Sequence, residues 1–256
     1  MGSPGGRPFP QTVVSGWDAK ECGGGIYEDR AGTTKSTASN AGPALSAALL
    51  SVRLNYSSPT SGPGMARAYR EYAEMVYLHW NETMTNGSTG AVFDRVEVAG
   101  CSVSTAGFTH NVALMLGAAT TLGHGVDAAR FARRLATAQV VPAAPGGSPV
   151  LHDGCEARCG DIDCASFKGV AARELSRWLA SPLSPLWPKL RARVADVLAG
   201  SAAAVWTIAR SDGPSGPLFS SQWAAKRTSA CGFEAAAQTS AVFALLTQAG
   251  APAPAP

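Results

Sequence analysis

The chain has 256 residues, 46% of them hydrophobic and 15% charged, with a formal net charge of +3. That length and apolar content suit one large domain with a substantial core. The charge is too small for a nucleic-acid binder, which shows a strongly basic face, and no run of 18 apolar residues is present to span a membrane.

Met1 to Ser15 is rich in Gly and Pro and lacks the apolar core of a signal peptide. It reads as a disordered leader, the folded domain as 16–250, and Ala251 to Pro256 as a disordered tail without the apolar stretch of a GPI signal. Next comes Trp17-Asp18, then Cys22-Gly23-Gly24-Gly25-Ile26-Tyr27, then Lys35 and Asn40 at the opening of a helix. Three glycines in a row can take positive φ and admit another backbone or a ligand. The tyrosine after them is either a sugar-stacking platform or a core residue beside a flexible linker.

Seven segments carry a 3.6-residue apolar period. The first runs from about Ser36 to Tyr56, with Leu45, Leu49, Val52 and Tyr56 on one face. The second presents Met65, Tyr69, Tyr72, Val76 and Trp80. The third has Phe108, Val112, Met115, Ala119 and Leu122; the fourth has Ala128, Phe131, Leu135 and Ala138. The fifth has Phe167, Ala171, Leu175 and Trp178. The sixth opens with Ser184-Pro185 as N-cap and first-turn pair and continues through Leu186, Leu190, Val194, Val197 and Leu198. The seventh has Ala235, Thr239, Val242 and Leu246. Strand signals are few: Val92 to Val98 alternates enough for one short ribbon. The Arg130, Arg133, Arg134 and Lys189, Arg191, Arg193 clusters read as solvated helix faces. Short links alternate with long loops, so helices pair as antiparallel hairpins with the long loops at one end. The expected fold is all-α, an (α/α) toroid.

Six cysteines, Cys22, Cys101, Cys155, Cys159, Cys164 and Cys231, form an even set. Three sequons, at Asn55, Asn81 and Asn86, accompany them and are glycosylation candidates. Together they favour an extracellular or cell-wall setting with disulfides, whose connectivity spacing cannot fix. His152 with Cys155, Cys159 and Cys164 could hold zinc, but such sites use tighter Cys pairs, so no metal is expected. The chain contains no Gly-x-Ser-x-Gly nucleophile turn. Among four histidines (His79, His110, His124, His152), His110 beside Asn111 stands out because it opens a helix after a long loop. Loop carboxylates are Asp18, Glu28, Asp29, Asp94, Asp153, Asp161 and Asp163, any of which is an ordinary surface or capping residue unless paired for glycosidase chemistry.

The motifs together resemble glycoside hydrolase family 76, the endo-α-1,6-mannanases and related fungal cell-wall transglycosidases. Trp17-Asp18 with Cys22 to Tyr27 resembles that family's Trp-Asp and Cys-Gly-Gly-Gly-Ile-Trp loop. Lys35 to Asn40 resembles its Lys-Asn-Ala-Ile-Thr-Asn helix start. Phe108-Thr109-His110-Asn111 resembles its Thr-Tyr-Asn-Gln-Gly segment, with His110 for Tyr and Val112 for Gln. Cys164 to Gly169 with Arg173 resembles its Phe-Lys-Gly-Ile-Phe-x-Arg signature. Trp223 and Gln238-Thr239-Ser240-Ala241 resemble its closing helix region.

The resemblance implies an (α/α)6 toroid of the six-hairpin glycosidase type and a polysaccharide ligand, an α-mannan, with no cofactor. It also implies a catalytic pair of adjacent aspartates upstream of the triple-glycine loop. This sequence contains no Asp-Asp, so the chain is expected to be N-terminally incomplete and inactive as written. Its apolar flanks would be left open to self-association. Expected ligand contacts are Tyr27, Asn40, His110, Asn111 and Lys168, with Asp94 and Asp163 as secondary carboxylates; no residue receives a catalytic role. The alternative reading is a carbohydrate-binding or scaffold remnant of such an enzyme.

Overall fold

A computed structural model describes residues 16–57, 62–144, 146–156, 162–225 and 235–249. Cys159, Asp161, Cys231, the leader and the tail lie outside the described residues, as does the side chain of Asn55 in the last turn of the first helix. The described chain is all-α in character, with seven long helices in the positions expected: α1 (Thr37–Ser57), α2 (Gly62–Met84), α3 (Thr109–Leu122), α4 (Gly125–Ala138), α5 (Ile162–Ala180), α6 (Pro188–Thr207) and α7 (Ala235–Ala249). It divides into two compact units, 1–85 with 93–106, and 86–92 with 107–256.

In the first unit α1 and α2 pack on each other. A three-stranded antiparallel sheet joins β1 (Thr34–Ser36), β2 (Arg95–Glu97) and β3 (Ser102–Ser104). The ribbon expected within Val92 to Val98 is therefore the middle strand of a sheet. At the start of α1, Thr37 N donates to the Asp94 carbonyl at 2.7 Å and Thr37 Oγ1 accepts the indole N–H of Trp80 at 2.8 Å. The first of those bonds satisfies one orphan N–H of the helix's first turn, and the second anchors the buried Thr37 side chain.

In the second unit α3, α5 and α7 lie side by side with α5 in the middle, while α4 packs on α3 and α6, and α6 on α5 and α7. The α3–α4 link closes through Gly123, which takes the left-handed region at φ 92° and donates to Ala119 O at 3.0 Å. Two hairpins were not anticipated: β4 (Val140–Pro142) with β5 (Pro149–Leu151), and β6 (Arg210–Gly213) with β7 (Gly216–Phe219). Each strand has only three or four residues, too few to show a period. The start of α6 also differs from expectation. Ser184 to Leu186 is a separate 3-10 turn, and Pro188 is the first residue of the helix. Ser184 Oγ donates to Leu179 O at 2.8 Å and accepts from Arg191, so it locks the α5–α6 link and caps nothing.

The buried faces of α1 and α7 are not the expected ones. In α1 Ala41, Ala44, Ala47 and Ala48 are buried beside Leu45, while Leu50 and Val52 are exposed. In α7 Ala237, Ser240, Ala241 and Ala244 are buried, and Val242 and Leu246 face solvent at 47% and 60%. Small side chains won because the helices approach closely. A Cβ on Gly169 of α5 would lie 2.6 Å from Ser240 Cα of α7. Gly169→Ala is therefore expected to destabilise the chain by about 1–3 kcal/mol, as overpacking does. Gly42→Ala, in α1 with nothing within 4 Å of the added methyl, is expected to stabilise it by about 0.5–1 kcal/mol. Urea melts of the two variants check the contrast.

Candidate functional site

In the first unit the irregular segment before α1 is organised by Lys35. Its side chain is fully buried, and Nζ donates to Asp18 Oδ2 at 2.8 Å, to Glu21 O at 2.6 Å and to Gly24 O at 3.0 Å. The ammonium also sits 4.8 Å from the Tyr27 ring centroid. Tyr27 Oη donates to the same Asp18 oxygen at 3.0 Å. Hydrogen bonding from Lys35 holds the Asp18 carboxyl far below its usual range. Desolvation, and then Asp18, push the Tyr27 phenol up. Asn40 is also fully buried. Its amide accepts from Ile26 N at 2.8 Å and donates to Ile26 O at 3.0 Å and Ser36 O at 2.8 Å.

The glycines serve this packing. A Cβ on Gly24, at φ 129°, would lie 2.9 Å from Trp17, and one on Gly25, at φ 117°, would lie 3.1 Å from Lys35 and 3.2 Å from Asn40. A disulfide between Cys22 and Cys101 ties the segment to the β2–β3 turn. Tyr27 is half-buried, and it lines an open depression of about 650 Å³ with Glu21, Asp29, Arg30 and Glu97. Asp94 is half-buried, with a carboxylate oxygen 4.0 Å from Arg95 Nη1.

In the second unit Lys168 plays the corresponding part. It is fully buried, pairs with Glu156 Oε1 at 2.7 Å, donates to Ser221 O at 2.6 Å and lies 4.6 Å from the Trp223 ring centroid. The same Glu156 oxygen accepts from Asp153 N at 2.7 Å and lies 3.3 Å from His152 Nδ1. Burial works to raise the Glu156 carboxyl, but the Lys168 ammonium and His152 bring it below its ordinary value. Hydrogen bonding to Glu156 raises His152, whose side chain is 41% exposed. Asp153 is raised by burial, though Thr109 opposes this. Both Asp153 oxygens accept from Thr109 N at 3.2 Å, and one also takes the Thr109 hydroxyl. Asp153 is thus the N-cap acceptor of α3, supplied from 44 residues away. Spacing alone could not reveal it.

Cys155 and Cys164 form a disulfide, so the zinc alternative for these cysteines fails. Asn111 is fully buried in the first turn of α3, whereas Asp163 is exposed in the first turn of α5. His110 packs at a tilt against Phe167, ring centroids 3.7 Å apart, and stacks with Phe108 at 5.9 Å. Its Nδ1 is buried with no hydrogen-bond partner among the described residues, and burial lowers its pKa to about 4. Asn81 lies in α2 and Asn86 accepts from Ser88 and Thr89 in an exposed turn.

The depressed His110 pKa has a definite sign. The neutral ring contributes stability that is fully present above pH 6.5 and is lost as pH falls through about 4. His110→Phe keeps the aromatic stack and removes the titration, so its melting temperature should fall less than that of the parent between pH 6.5 and 4. Parallel thermal melts across that window check it.

The chain's relatives can be set beside this geometry. The sequence matches Glycosyl hydrolase family 76 over residues 7–255. No curated protein matches it. Solved structures with the same fold include an α-1,6-mannanase from Salegentibacter sp. HEL1_6, with 20% identity, a TM-score of 0.72, and coverage of 93% of this chain and 66% of that one. Dfg5 from Chaetomium thermophilum in complex with glucosamine shares 21% identity at a TM-score of 0.69, over 94% of this chain and 60% of its own. A family 76 mannosidase from Bacteroides thetaiotaomicron shares 15% at 0.70, over 94% and 62%. The chain therefore spans at most about two thirds of these structures, whose fold it shares. With a match that runs almost from end to end, this chain belongs to glycosyl hydrolase family 76.

Proposed function

We propose that the chain is part of an extracellular or cell-wall-associated glycoside hydrolase or transglycosidase acting on α-1,6-linked mannan. The observation that carries this reading is family membership across residues 7–255. The Salegentibacter relative is described as an α-1,6-mannanase, and a variant lacking two of its aspartates as inactive and complexed with α-1,6-mannotetrose. Tyr27 is the surface on which a mannose ring would stack, since its half-open ring borders a depression rich in hydrogen-bonding groups. Asp163 and Asp94 are polar groups with accessible surface; Asn40, Asn111 and Lys168 are buried and act as framework. His110 stays neutral at pH 7 and contributes an aromatic edge.

The same reading makes this chain inactive by itself. Its sequence holds no adjacent aspartates. The fully or nearly buried carboxylates described are committed: Asp153 to Thr109, Glu156 to Lys168, and Glu174 to Arg173 and Arg177 at 2.7 and 2.8 Å. A glycosidase acid must give up and regain a proton in each cycle, which Glu156, held ionised by the Lys168 ammonium, does poorly. Incubated with α-1,6-mannan, the chain should release no reducing ends above a buffer control. Release at the rate of an intact mannanase overturns this part of the reading. Leu50, Val52, Met75 and Leu78 in the first unit and Val242 and Leu246 in the second remain exposed, so sedimentation velocity is expected to show self-association as concentration rises.

A further inference from the structure

Of the six tryptophans in the sequence, Trp206 is the most open, with 48% of its surface in water. It sits in the last turn of α6, just before the β6–β7 hairpin. Its ring is held in place. The Arg210 guanidinium lies over it, 4.2 Å from the centroid, and Arg210 is fixed in turn by Asp212, with Nη2 and Nε at 2.6 and 2.8 Å from Oδ1. From the other strand Phe219 approaches to 6.3 Å. Phe219 is anchored through both backbone groups, its N–H donating to Gln238 Oε1 at 2.9 Å and its carbonyl accepting from Gln238 Nε2 at 2.6 Å.

A cation therefore lies over the indole, and among the described residues 48% of the Trp206 surface is left in water. A large aromatic held rigid and left wet loses no side-chain freedom when a ligand stacks on it. The surroundings decide which ligand. Arg210 and Asp212 neutralise each other, so they select no net charge, yet the Asp212 side chain is 74% exposed and offers acceptor capacity beside the ring. A single ring bordered by an ion pair is too small an apolar patch for a stable protein interface. A pyranose fits it, with its C–H face against the indole and its hydroxyls on the Arg210–Asp212 pair.

We propose that Trp206, with Arg210 and Asp212, is a glycan-binding platform that takes a neutral hexose unit of a polysaccharide. Its preference for α-mannan rests on the functional reading above; the platform itself does not. Affinity electrophoresis of the chain through gels containing α-1,6-mannan, a β-glucan or a xylan tests both. The expected result is retardation by α-mannan, weakened roughly fivefold or more in Trp206→Ala and largely kept in Trp206→Phe. A near-ultraviolet dichroism spectrum and a cooperative melt show that the alanine variant is folded. Retardation by another neutral glycan alone, lost in Trp206→Ala, upholds the platform and counts against the mannan reading. Retardation by mannan that Trp206→Ala leaves intact upholds the mannan reading and overturns the platform, as does a parent chain that no glycan retards.

Discussion

An ammonium shut away from water must be surrounded by oxygen atoms, and in each unit one lysine imposes that demand. Lys35 meets it with one carboxylate and two loop carbonyls, Lys168 with one carboxylate and one loop carbonyl, and each lies under an aromatic ring. Desolvating a charge costs several kcal/mol even after relaxation, so these contacts act as a set. For the Glu156–Lys168 pair, removing either partner strands the other, at a cost of about 3–5 kcal/mol. The consequence is geometric: irregular backbone with no ladder of its own is held in one shape by a charge that it alone can solvate.

That constraint explains why so many residues of the family motifs face inward. The Cys-Gly-Gly-Gly run brings the Gly24 carbonyl to Lys35, and its glycines leave room for Trp17, His79 and Trp80. In the second unit the Phe-Lys-Gly stretch supplies the ring that packs against His110, the buried ammonium and the glycine that lets α7 approach. A sequence motif preserves whatever is hard to replace, and a satisfied buried charge is as hard to replace as a ligand contact. Tyr27 joins both roles, since its ring faces the ammonium and borders the open depression.

The helices were legible because an apolar period repeats over three or four turns, and the loops because Gly, Pro and Cys gather between them. The identity of the buried face was less legible. In α1 and α7 the larger residues make the more visible stripe, but close packing favours alanines, which carry almost no weight in such a pattern. The hairpins β4–β5 and β6–β7 were missed because their pairing is settled by contacts outside them, such as Leu151 N with Ser201 Oγ at 3.0 Å and Phe219 with Gln238. Asp153 and Glu156 were invisible as partners of Thr109 and Lys168 for the same reason: what makes them structural lies on another helix.

The carboxylates carry the last step. Catalysis by a carboxylic acid needs a group whose proton is loosely held, in surroundings that do not settle its charge. At Asp18 and Glu156 the fold does the opposite, placing a lysine within 2.8 Å of each. Asp153 is tilted toward its neutral form by burial, but both its oxygens are taken by the first turn of α3. What remains available is a different kind of chemistry. Tyr27 and Trp206 are partly open aromatic rings with carboxylates and guanidinium groups near them, and rings of that kind act by stacking and not by proton transfer.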